Sequence, residues 1–569
     1  MVSTVRPAEP VVRFAPVEDV EPVEAAAVPA RLPSGVLVFV LALGGYLVLG
    51  AYTILRWNLV MGDALSRLAG ADYVIASRDP HLTAIGFVWN PLPTLAMIPA
   101  LTLRPLWDAL GEPGFAATIA SATAMAFAVA TLHRLTARWG LSRPARAVVV
   151  LAFAANPMIA LYATNGMSEA FVLAFLIPAV GGLAAWIDDT RDTAALVRCS
   201  VLIGLGYLVR YEVLAAAAGV ALAVAVVTWQ RVDRDERRAA IVGNVMVVLA
   251  PSFIGFLVFA LSSWLITGSL AEQFTSAYGN TAVIASDNTL TLSNGIRFSI
   301  TAVAVLAPLL PLLLAGVFAR SDVRALRRTA AAFAVLGAVV AFAAASQASG
   351  STLHFLRFFI AAVPLQLIVA MALVAPRPPP APGTVRWSAD EPSRARRHGV
   401  SAVVVLLVVG IVGWATTAYG MLDADIGVQE HQIATLLDPR RDSAEERAVL
   451  RTFETEQRVA EFLDRLDLPP GTVLVDVLFG FPIVLASDNP EQFVIPSDRD
   501  WAQVLADPVG HGIRYLLTVP DEGRGEVDSL NRRFPDVYVG GADVGPLRLD
   551  AVNDGGGPNW RLYELTPPG

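Results

Sequence analysis

The side chains with the clearest chemical potential lie between residues 56 and 83. Asp63 stands in a Met-Gly-Asp-Ala segment, and Arg78, Asp79 and His81 follow it in Ser-Arg-Asp-Pro-His. A carboxylate can accept the proton of a hydroxyl group that attacks an electrophilic carbon, while cations and polar donors can stabilise a departing phosphate. Asp63 with Arg78 and His81 could serve both purposes when a sugar moves from a phosphate to a hydroxyl group.

A plainer interpretation of these residues is also compatible with the sequence. Asp63 could cap a helix at the membrane surface, and Arg78 and Asp79 could form a solvated pair. Both interpretations remain open from the residue types alone.

Further charged residues stand at the ends of apolar segments. Glu169 follows Asn-Gly-Met-Ser and precedes an apolar run, Arg210 and Glu212 flank a tyrosine between two apolar runs, and His354 and Arg357 precede another. Charges at membrane depth usually face a partner or a water-filled cavity. A cation at the last position could therefore bind the phosphate of a lipid-linked molecule.

These positions also have structural alternatives. Glu169 could be an acid at a helix N-terminus, Arg210 and Glu212 could form an ion pair that closes a turn, and Arg357 could extend to lipid headgroups.

The composition predicts a membrane protein. Of the 569 residues, 55% are hydrophobic and 16% are charged, whereas soluble domains have roughly 25% charged residues. A spanning helix needs about 20 apolar residues, and the sequence offers about twelve runs near that length. They are Val36–Leu55, Ala84–Leu106, Phe115–Leu132, Ala147–Ala163, Ala170–Ile187, Leu196–Val209, Val213–Trp229, Ala239–Leu261, Ser299–Ala319, Thr329–Ala345, Phe358–Ala375 and Val400–Tyr419.

Arginine-rich loops predict the orientation of these spans. Three short loops, around residues 134–146, 231–238 and 320–328, and the proline-rich loop 376–398 fall on one side if the spans alternate, and that side should be cytoplasmic. The loops 56–83 and 262–297, the turn around His354 and the stretch after Tyr419 are expected to face outwards.

The two ends of the chain differ from the apolar middle. Residues 1–33 are rich in Pro, Ala, Val and Glu without periodicity, which predicts a disordered cytoplasmic tail. Residues 34–420 form the predicted transmembrane domain, and residues 421–569 have the pattern of an extracytoplasmic α/β domain. We expect a helix at Ser443–Leu466 and strands at Thr472–Leu478, Gln492–Pro496, Tyr515–Val519 and Trp560–Leu565.

Together these features resemble the GT-C glycosyltransferases, integral membrane enzymes that use polyprenyl-phosphate sugars. They include protein mannosyltransferases, the aminoarabinose transferase of lipid A, and mycobacterial arabinosyl- and mannosyltransferases. The resemblance covers most of residues 36–419, and the matching features are Asp63 in an acidic first exterior loop, the stretch Pro157 to Glu169, the Arg-Tyr-Glu turn at Arg210, and the stretch His354 to Pro364.

The resemblance implies a fold and an activity. It implies a polytopic α-helical membrane protein of the GT-C type in the plasma membrane, transferring a hexose or pentose, such as mannose or arabinose, from a polyprenyl-phosphate donor. The acceptor would be an extracytoplasmic glycan, lipid or protein of the cell envelope. Asp63 is the expected general base, and the expected substrate-binding residues are Arg78, Asp79, His81, Glu169, Arg210, Glu212, His354 and Arg357.

The sequence departs from some members of that group at two positions. Asp63 has no adjacent acidic residue, and Phe358 stands where tyrosine is frequent after the arginine. No metal ligands are therefore assigned, although a divalent metal ion is compatible with the site. Nothing in the charge distribution predicts a nucleic-acid partner.

Two other functions are compatible with parts of this pattern. Many spans with intramembrane charges also suit a transporter of lipids or lipid-linked glycans, and the spans could anchor a working C-terminal domain. The absence of an obvious internal repeat disfavours the transporter, and so many spans exceed what an anchor requires.

Overall fold

The computed structural model of the protein describes residues 34–276, 278–279, 284, 289–376, 391–437, 448–541 and 544–566. The predicted N-terminal tail, most of the proline-rich loop 376–398 and the start of the predicted helix Ser443–Leu466 lie outside these ranges.

Long apolar helices dominate the described residues up to position 422. Eight of them could cross a membrane by length and composition: Ser34–Leu55, Phe115–Arg138, Glu169–Asp188, Tyr211–Arg231, Arg234–Thr267, Val323–Ala348, Leu356–Val374 and Gly399–Leu422. Two bent pairs bring the number to ten if each pair is one span: Arg143–Ala154 with Pro157–Thr164, and Leu292–Leu306 with Leu310–Arg320.

The predicted number of about twelve spans is not confirmed. Two of the apolar runs correspond to helices too short to count, namely Pro91–Leu101 within the second run and Thr193–Tyr207, which overlaps the sixth. Prolines account for much of the irregularity, because a proline cannot donate a backbone hydrogen bond and disfavours helical geometry in the residue before it. Pro157 starts the second half of the first bent pair, where Asn156 accepts a hydrogen bond from the backbone N–H of Met158.

The helices differ in how much of their surface lies inside the protein. Phe115–Arg138, Glu169–Asp188 and Leu356–Val374 are mostly buried, whereas Ser34–Leu55 and Arg234–Thr267 expose most of their apolar side chains. Apolar side chains on the outside of a helical bundle suit a lipid environment. Glu169 and Arg357 therefore stand at the ends of two central helices.

The region after residue 422 contains short helices and a five-stranded sheet. The strands are β1 Val473–Val475, β2 Phe493–Val494, β3 Tyr515–Thr518, β4 Leu547–Ala551 and β5 Trp560–Glu564, and the helices are Gln432–Leu437, Glu454–Asp464, Val477–Ala486, Trp501–Ala506, Ser529–Arg533 and Val537–Gly540. The strand order in the sheet is β2-β1-β3-β5-β4. The strands β1 and β2 pair in parallel, as do β1 and β3, while β5 runs antiparallel to β3 and β4.

The predicted α/β character of the C-terminal region is confirmed, but some strands and helices differ from the predicted ones in length. Four of the five strands coincide with predicted ones, but β1 ends at Val475 because Asp476 caps the helix that follows. The strand β4 was not predicted; it is a mostly exposed edge strand. The predicted helix Ser443–Leu466 is found as Glu454–Asp464.

The stability of this region should depend on pH through Asp528. Burial and the neighbouring carboxylate of Asp476 raise the pKa of Asp528 to about 7, compared with roughly 4 in an unfolded chain. The folded state then binds a proton more tightly than the unfolded state. The contribution of Asp528 to the free energy of unfolding is therefore fully present below about pH 4. It is lost as the pH rises from about 4 to 7.

We expect amide hydrogen exchange in β1 and β3, corrected for intrinsic rates, to be slower at pH 5 than at pH 8. Asp528 accepts hydrogen bonds from the backbone N–H groups of Leu530 and Asn531, and asparagine can keep these bonds. Asp528→Asn should therefore flatten the pH dependence without removing the cap. An unchanged pH dependence in this variant would contradict the assignment.

Candidate active site

The candidate site is built around an ion pair between Asp63 and Arg357. Asp63 lies in the first turn of the helix Gly62–Ala76, and Arg357 lies in the first turn of Leu356–Val374. The Nη2 atom of Arg357 donates to Oδ2 of Asp63 at 2.9 Å. The Asp63 side chain is 27% exposed and that of Arg357 only 4%. Arg357 therefore pairs inside the protein instead of extending to lipid headgroups.

A second group of charges lies directly behind this pair. The Nη1 atom of Arg210 donates to Oε1 of Glu169 at 2.7 Å, and Nη2 donates to Oε1 of Glu212 at 2.5 Å. The same oxygen of Glu169 is 3.8 Å from Nε of Arg357. Glu169 thus links the two arginines, and the structure brings together five of the predicted residues.

Arg67 completes the charge balance of the cluster. It is buried, its Nη1 atom donates to the backbone carbonyl of Asp63 at 3.1 Å, and its guanidinium lies 4.3 Å from the centre of the Trp89 ring. Burial alone would raise the pKa of the Asp63 carboxyl, but Arg357 and then Arg67 outweigh it and hold that pKa below its ordinary value. Asp63 is therefore ionised at neutral pH.

A glycine turn lets the relevant helices approach one another. Gly166 has a φ of +73°, a conformation that favours glycine. A Cβ atom there would lie 2.6 Å from Cβ of Ala117 and 3.2 Å from Cβ of Ala64. The turn before Glu169 can therefore contact the helix that carries Asp63.

A cavity of about 1190 Å³ opens next to Asp63. Its walls come from the helix Gly62–Ala76, from the segment after it, from residues near the end of Arg234–Thr267 and from the C-terminal α/β region. The lining side chains include Asp63, His81, Trp89, Tyr278, Phe479, Arg499 and Arg524.

A second, smaller pocket lies on the other side of the charge cluster. It is lined by Glu169, Arg210, Glu212 and Arg357 and by apolar side chains that include Phe342 and Phe358. The centre of the Phe358 ring lies close to both guanidiniums, 5.2 Å from that of Arg210 and 5.3 Å from that of Arg357. Two cations and an apolar wall thus meet in one place.

Four predicted residues lie outside the cluster. Arg78 bonds to Asp498 and Asp500, and Asp79 accepts from Arg499, so these two side chains connect the loop 56–83 to the C-terminal region. His81 lines the large cavity, and its Nδ1 atom donates to the carbonyl of Asp79 at 2.6 Å. His354 lies 2.5 Å from Oε1 of Gln347 and stacks on Phe298.

Arg78 should therefore matter for the docking of the C-terminal region. The Asp498 side chain is fully buried and would lose its guanidinium partner in Arg78→Gln. We expect this variant to be less stable by about 1–3 kcal/mol, with faster hydrogen exchange around residues 495–501. Arg451→Gln, which breaks the exposed pair with Asp554, is the control and should cost less than about 1 kcal/mol. Equal effects of the two substitutions would contradict this role.

Sequence reasoning missed three features of the site. Arg67 could have been found, because it is four residues after Asp63 and residues so spaced share one helix face. Glu430 accepts a hydrogen bond from Tyr162 at 2.5 Å in a buried position. No pattern in the sequence predicts this contact. Arg524, on the wall of the large cavity, also lacks a local signal.

The described residues contain no group of three or more His, Cys, Asp or Glu side chains placed to hold a metal ion. Asp63 and Glu169 are both occupied by guanidiniums. The chemistry of this cluster is thus that of ion pairs between carboxylates and arginines.

No protein-family model and no curated protein matches the sequence. Solved structures do match. The crystal structure of ArnT from Cupriavidus metallidurans bound to undecaprenyl phosphate has 14% identity and a TM-score of 0.56 over 94% of this chain and 98% of that chain. The apo structure of the same protein has 14% identity and a TM-score of 0.52 over 92% and 98%.

A more distant neighbour is the oligosaccharyltransferase from Archaeoglobus fulgidus, with 11% identity and a TM-score of 0.39 over 86% of this chain and 70% of that chain. The match to ArnT extends over nearly the whole of both chains and includes the helical part and the C-terminal sheet region. The predicted fold class is confirmed in its architecture: this chain is a multi-pass α-helical membrane protein with the fold of ArnT and a C-terminal sheet region.

Proposed function

We propose that this protein is a membrane glycosyltransferase that moves a monosaccharide from a polyprenyl-phosphate donor to a hydroxyl group of an acceptor. The observation that carries the proposal is the position of Asp63. This carboxylate stands at the wall of a cavity of about 1190 Å³ and bonds to Arg357, which lines the smaller pocket with Arg210. A proton acceptor and two cations are thus adjacent.

The donor would bind with its phosphate at Arg357 and Arg210. Guanidiniums suit phosphate because they offer parallel N–H donors and remain charged. The apolar wall with Phe342 and Phe358 provides a surface for the first prenyl units. Undecaprenyl phosphate bound to ArnT, which shares this fold, supports a donor of this class.

The binding of phosphate would also change the state of Asp63. The cluster is balanced, with Asp63, Glu169 and Glu212 against Arg67, Arg210 and Arg357, so an added phosphate must compete with a carboxylate for a guanidinium. Asp63 is the most exposed partner of Arg357 and the easiest to replace. Its release from Arg357 would raise its pKa towards the ordinary value and make it a better base.

The reaction follows from these positions. The acceptor hydroxyl oxygen attacks the anomeric carbon, and the bond between that carbon and the phosphate oxygen breaks. The hydroxyl proton passes to Asp63, and the polyprenyl phosphate leaves with the bonding electrons, stabilised by Arg357 and Arg210. The products are the glycosylated acceptor and polyprenyl phosphate.

The arrangement of the chain suggests where each substrate arrives. We place the transfer chemistry in residues 34–420 and assign residues 421–569 to the acceptor side, because the C-terminal region forms part of the cavity wall. The arginine bias of the loops supports an orientation in which this side lies outside the plasma membrane. A hexose or pentose donor, such as mannose or arabinose, and a cell-envelope glycan, lipid or protein acceptor fit this position.

The test is transfer of radiolabelled sugar from a panel of polyprenyl-phosphate monosaccharides to total envelope acceptors by the purified protein. We expect transfer from at least one donor, with release of polyprenyl phosphate in equal amount. Movement of intact lipid-linked sugar across a vesicle membrane without transfer would instead favour a transporter.

A further inference from the structure

The part of the large cavity's wall that comes from the C-terminal region carries Arg524, an arginine with no carboxylate partner among the described residues. We propose that Arg524 binds an anionic group, a phosphate or a carboxylate, on the acceptor. The inference rests on the proposed function for the identity of the ligand as acceptor, while the anion site itself rests on the geometry alone.

The contacts of Arg524 are few for a partly buried guanidinium. Its Nη2 atom donates to the carbonyl oxygen of Tyr278 at 3.4 Å, and its guanidinium lies 5.8 Å from the centre of the Phe479 ring. Its Nε atom is buried and has no hydrogen-bond partner among the described residues. At least one donor direction of this side chain is therefore unused.

Arg499 provides the comparison within the same cavity. It also lines the wall, but its Nη1 atom lies 3.3 Å from Oδ1 of Asp79, so its charge is matched. No carboxylate lies within 4 Å of Arg524 in the described ranges. Arg524 is thus the cavity arginine that a ligand anion would neutralise.

The energetic cost of removing the Arg524 guanidinium from water without a counterion indicates that a ligand binds there. A guanidinium that is removed from water without a counterion is unfavourable, and the cost falls when an anion with good hydrogen-bond geometry arrives. Burial accordingly lowers the pKa of Arg524, and the distant charge of Asp63 opposes this only in part. A phosphate or carboxylate would supply both charge and hydrogen-bond acceptors.

The location of Arg524 in the sheet region suits ligand binding. It follows the carboxyl end of β3, next to the carboxyl end of the parallel neighbour β1. Ligands of open α/β sheets bind at the carboxyl ends of parallel strands, where loops diverge. Since Asp63 lines the same cavity, an acceptor held there by its anion can present a hydroxyl group to Asp63.

The experiment titrates small anions into the purified full-length protein while undecaprenyl phosphate saturates the donor site. The probes are glycerol 3-phosphate, glycerate and neutral glycerol, and binding is measured by calorimetry. We expect saturable binding of at least one anion and none of glycerol; the two anions distinguish a phosphate from a carboxylate as the recognised group.

The variants assign that binding to a residue. Arg524→Gln should weaken anion binding roughly tenfold or more, the size expected of a charge-assisted contact, and Arg524→Lys should retain much of it. Arg499→Gln, already paired in the structure, is the matched control and should change the affinity less than about threefold. An unfolding midpoint near that of the wild type shows that each variant is folded.

Three outcomes would overturn the inference: no saturable anion binding by the wild type, equal binding by wild type and Arg524→Gln, or equal losses in Arg524→Gln and Arg499→Gln. The titration does not depend on sugar transfer. A wild type that binds the anion through Arg524 but transfers no sugar would count against the proposed function and leave the anion site standing.

Discussion

Asp63→Asn is expected to lower the rate of sugar transfer by about 10²–10⁴-fold, the contribution typical of a general base. Asparagine has nearly the same shape and its side-chain oxygen can still accept a hydrogen bond from Nη2 of Arg357, which now donates at 2.9 Å. It cannot take up the proton of the acceptor hydroxyl group. The loss should therefore appear in the rate of transfer at saturating donor and much less in donor affinity.

The matched control is Asp550→Asn. Asp550 lies on the edge strand β4 and pairs with Arg561, away from the residues that line either pocket. This control should leave transfer within about twofold of the wild type, since surface pairs contribute little. Equal transfer by Asp63→Asn and wild type would remove Asp63 as the base, and a misfolded Asp63→Asn protein would be recognised by its unfolding midpoint.

The parts of the fold that could be predicted are those governed by local pattern. Apolar runs predicted the helices, because a spanning segment must satisfy its backbone hydrogen bonds internally, and the α/β pattern of residues 421–569 predicted the sheet region. The number of spans was harder to predict from the sequence. The second run contains an 11-residue helix, Pro91–Leu101, and the sixth overlaps a 15-residue helix, Thr193–Tyr207, although the composition of these runs resembles that of full spans.

The candidate site was predicted in outline because charges are costly among apolar residues and so stand out in the sequence. Glu169, Arg210, Glu212 and Arg357 were singled out on this ground, and Asp63 as a carboxylate in an exterior loop. The structure brings these five side chains together. Which charge pairs with which depends on contacts between residues far apart in the chain.

The loop residues show the limit of the same reasoning. Arg78 and Asp79 were expected to bind substrate because they follow Asp63 closely in sequence, yet they contact Asp498, Asp500 and Arg499 more than 400 positions later. A charged loop residue can bind a ligand or hold a domain, and the residue type is the same in both cases. Only the contact partner in the structure distinguishes these two roles.

Arg357→Gln should show how far the two roles of this arginine, holding Asp63 and binding phosphate, can be separated. The substitution removes the guanidinium from Asp63 and from the neighbourhood of Glu169. We expect a loss of stability of about 1.5–3 kcal/mol, the range for hydrogen bonds to charged groups. Binding of undecaprenyl phosphate should weaken at least tenfold, because one of two phosphate ligands is lost while Arg210 remains.

The double variant Asp63→Asn with Arg357→Gln separates the two effects. It removes both charges of the ion pair, so it should recover much of the stability lost in Arg357→Gln, because the Asp63 carboxylate is no longer left without its counterion. It should not recover donor binding, since the phosphate still lacks Arg357. If unfolding midpoints show no recovery, Asp63 is not the main counterion of Arg357; if undecaprenyl phosphate binds the double variant as tightly as the wild type, Arg357 holds Asp63 in place but does not bind the donor.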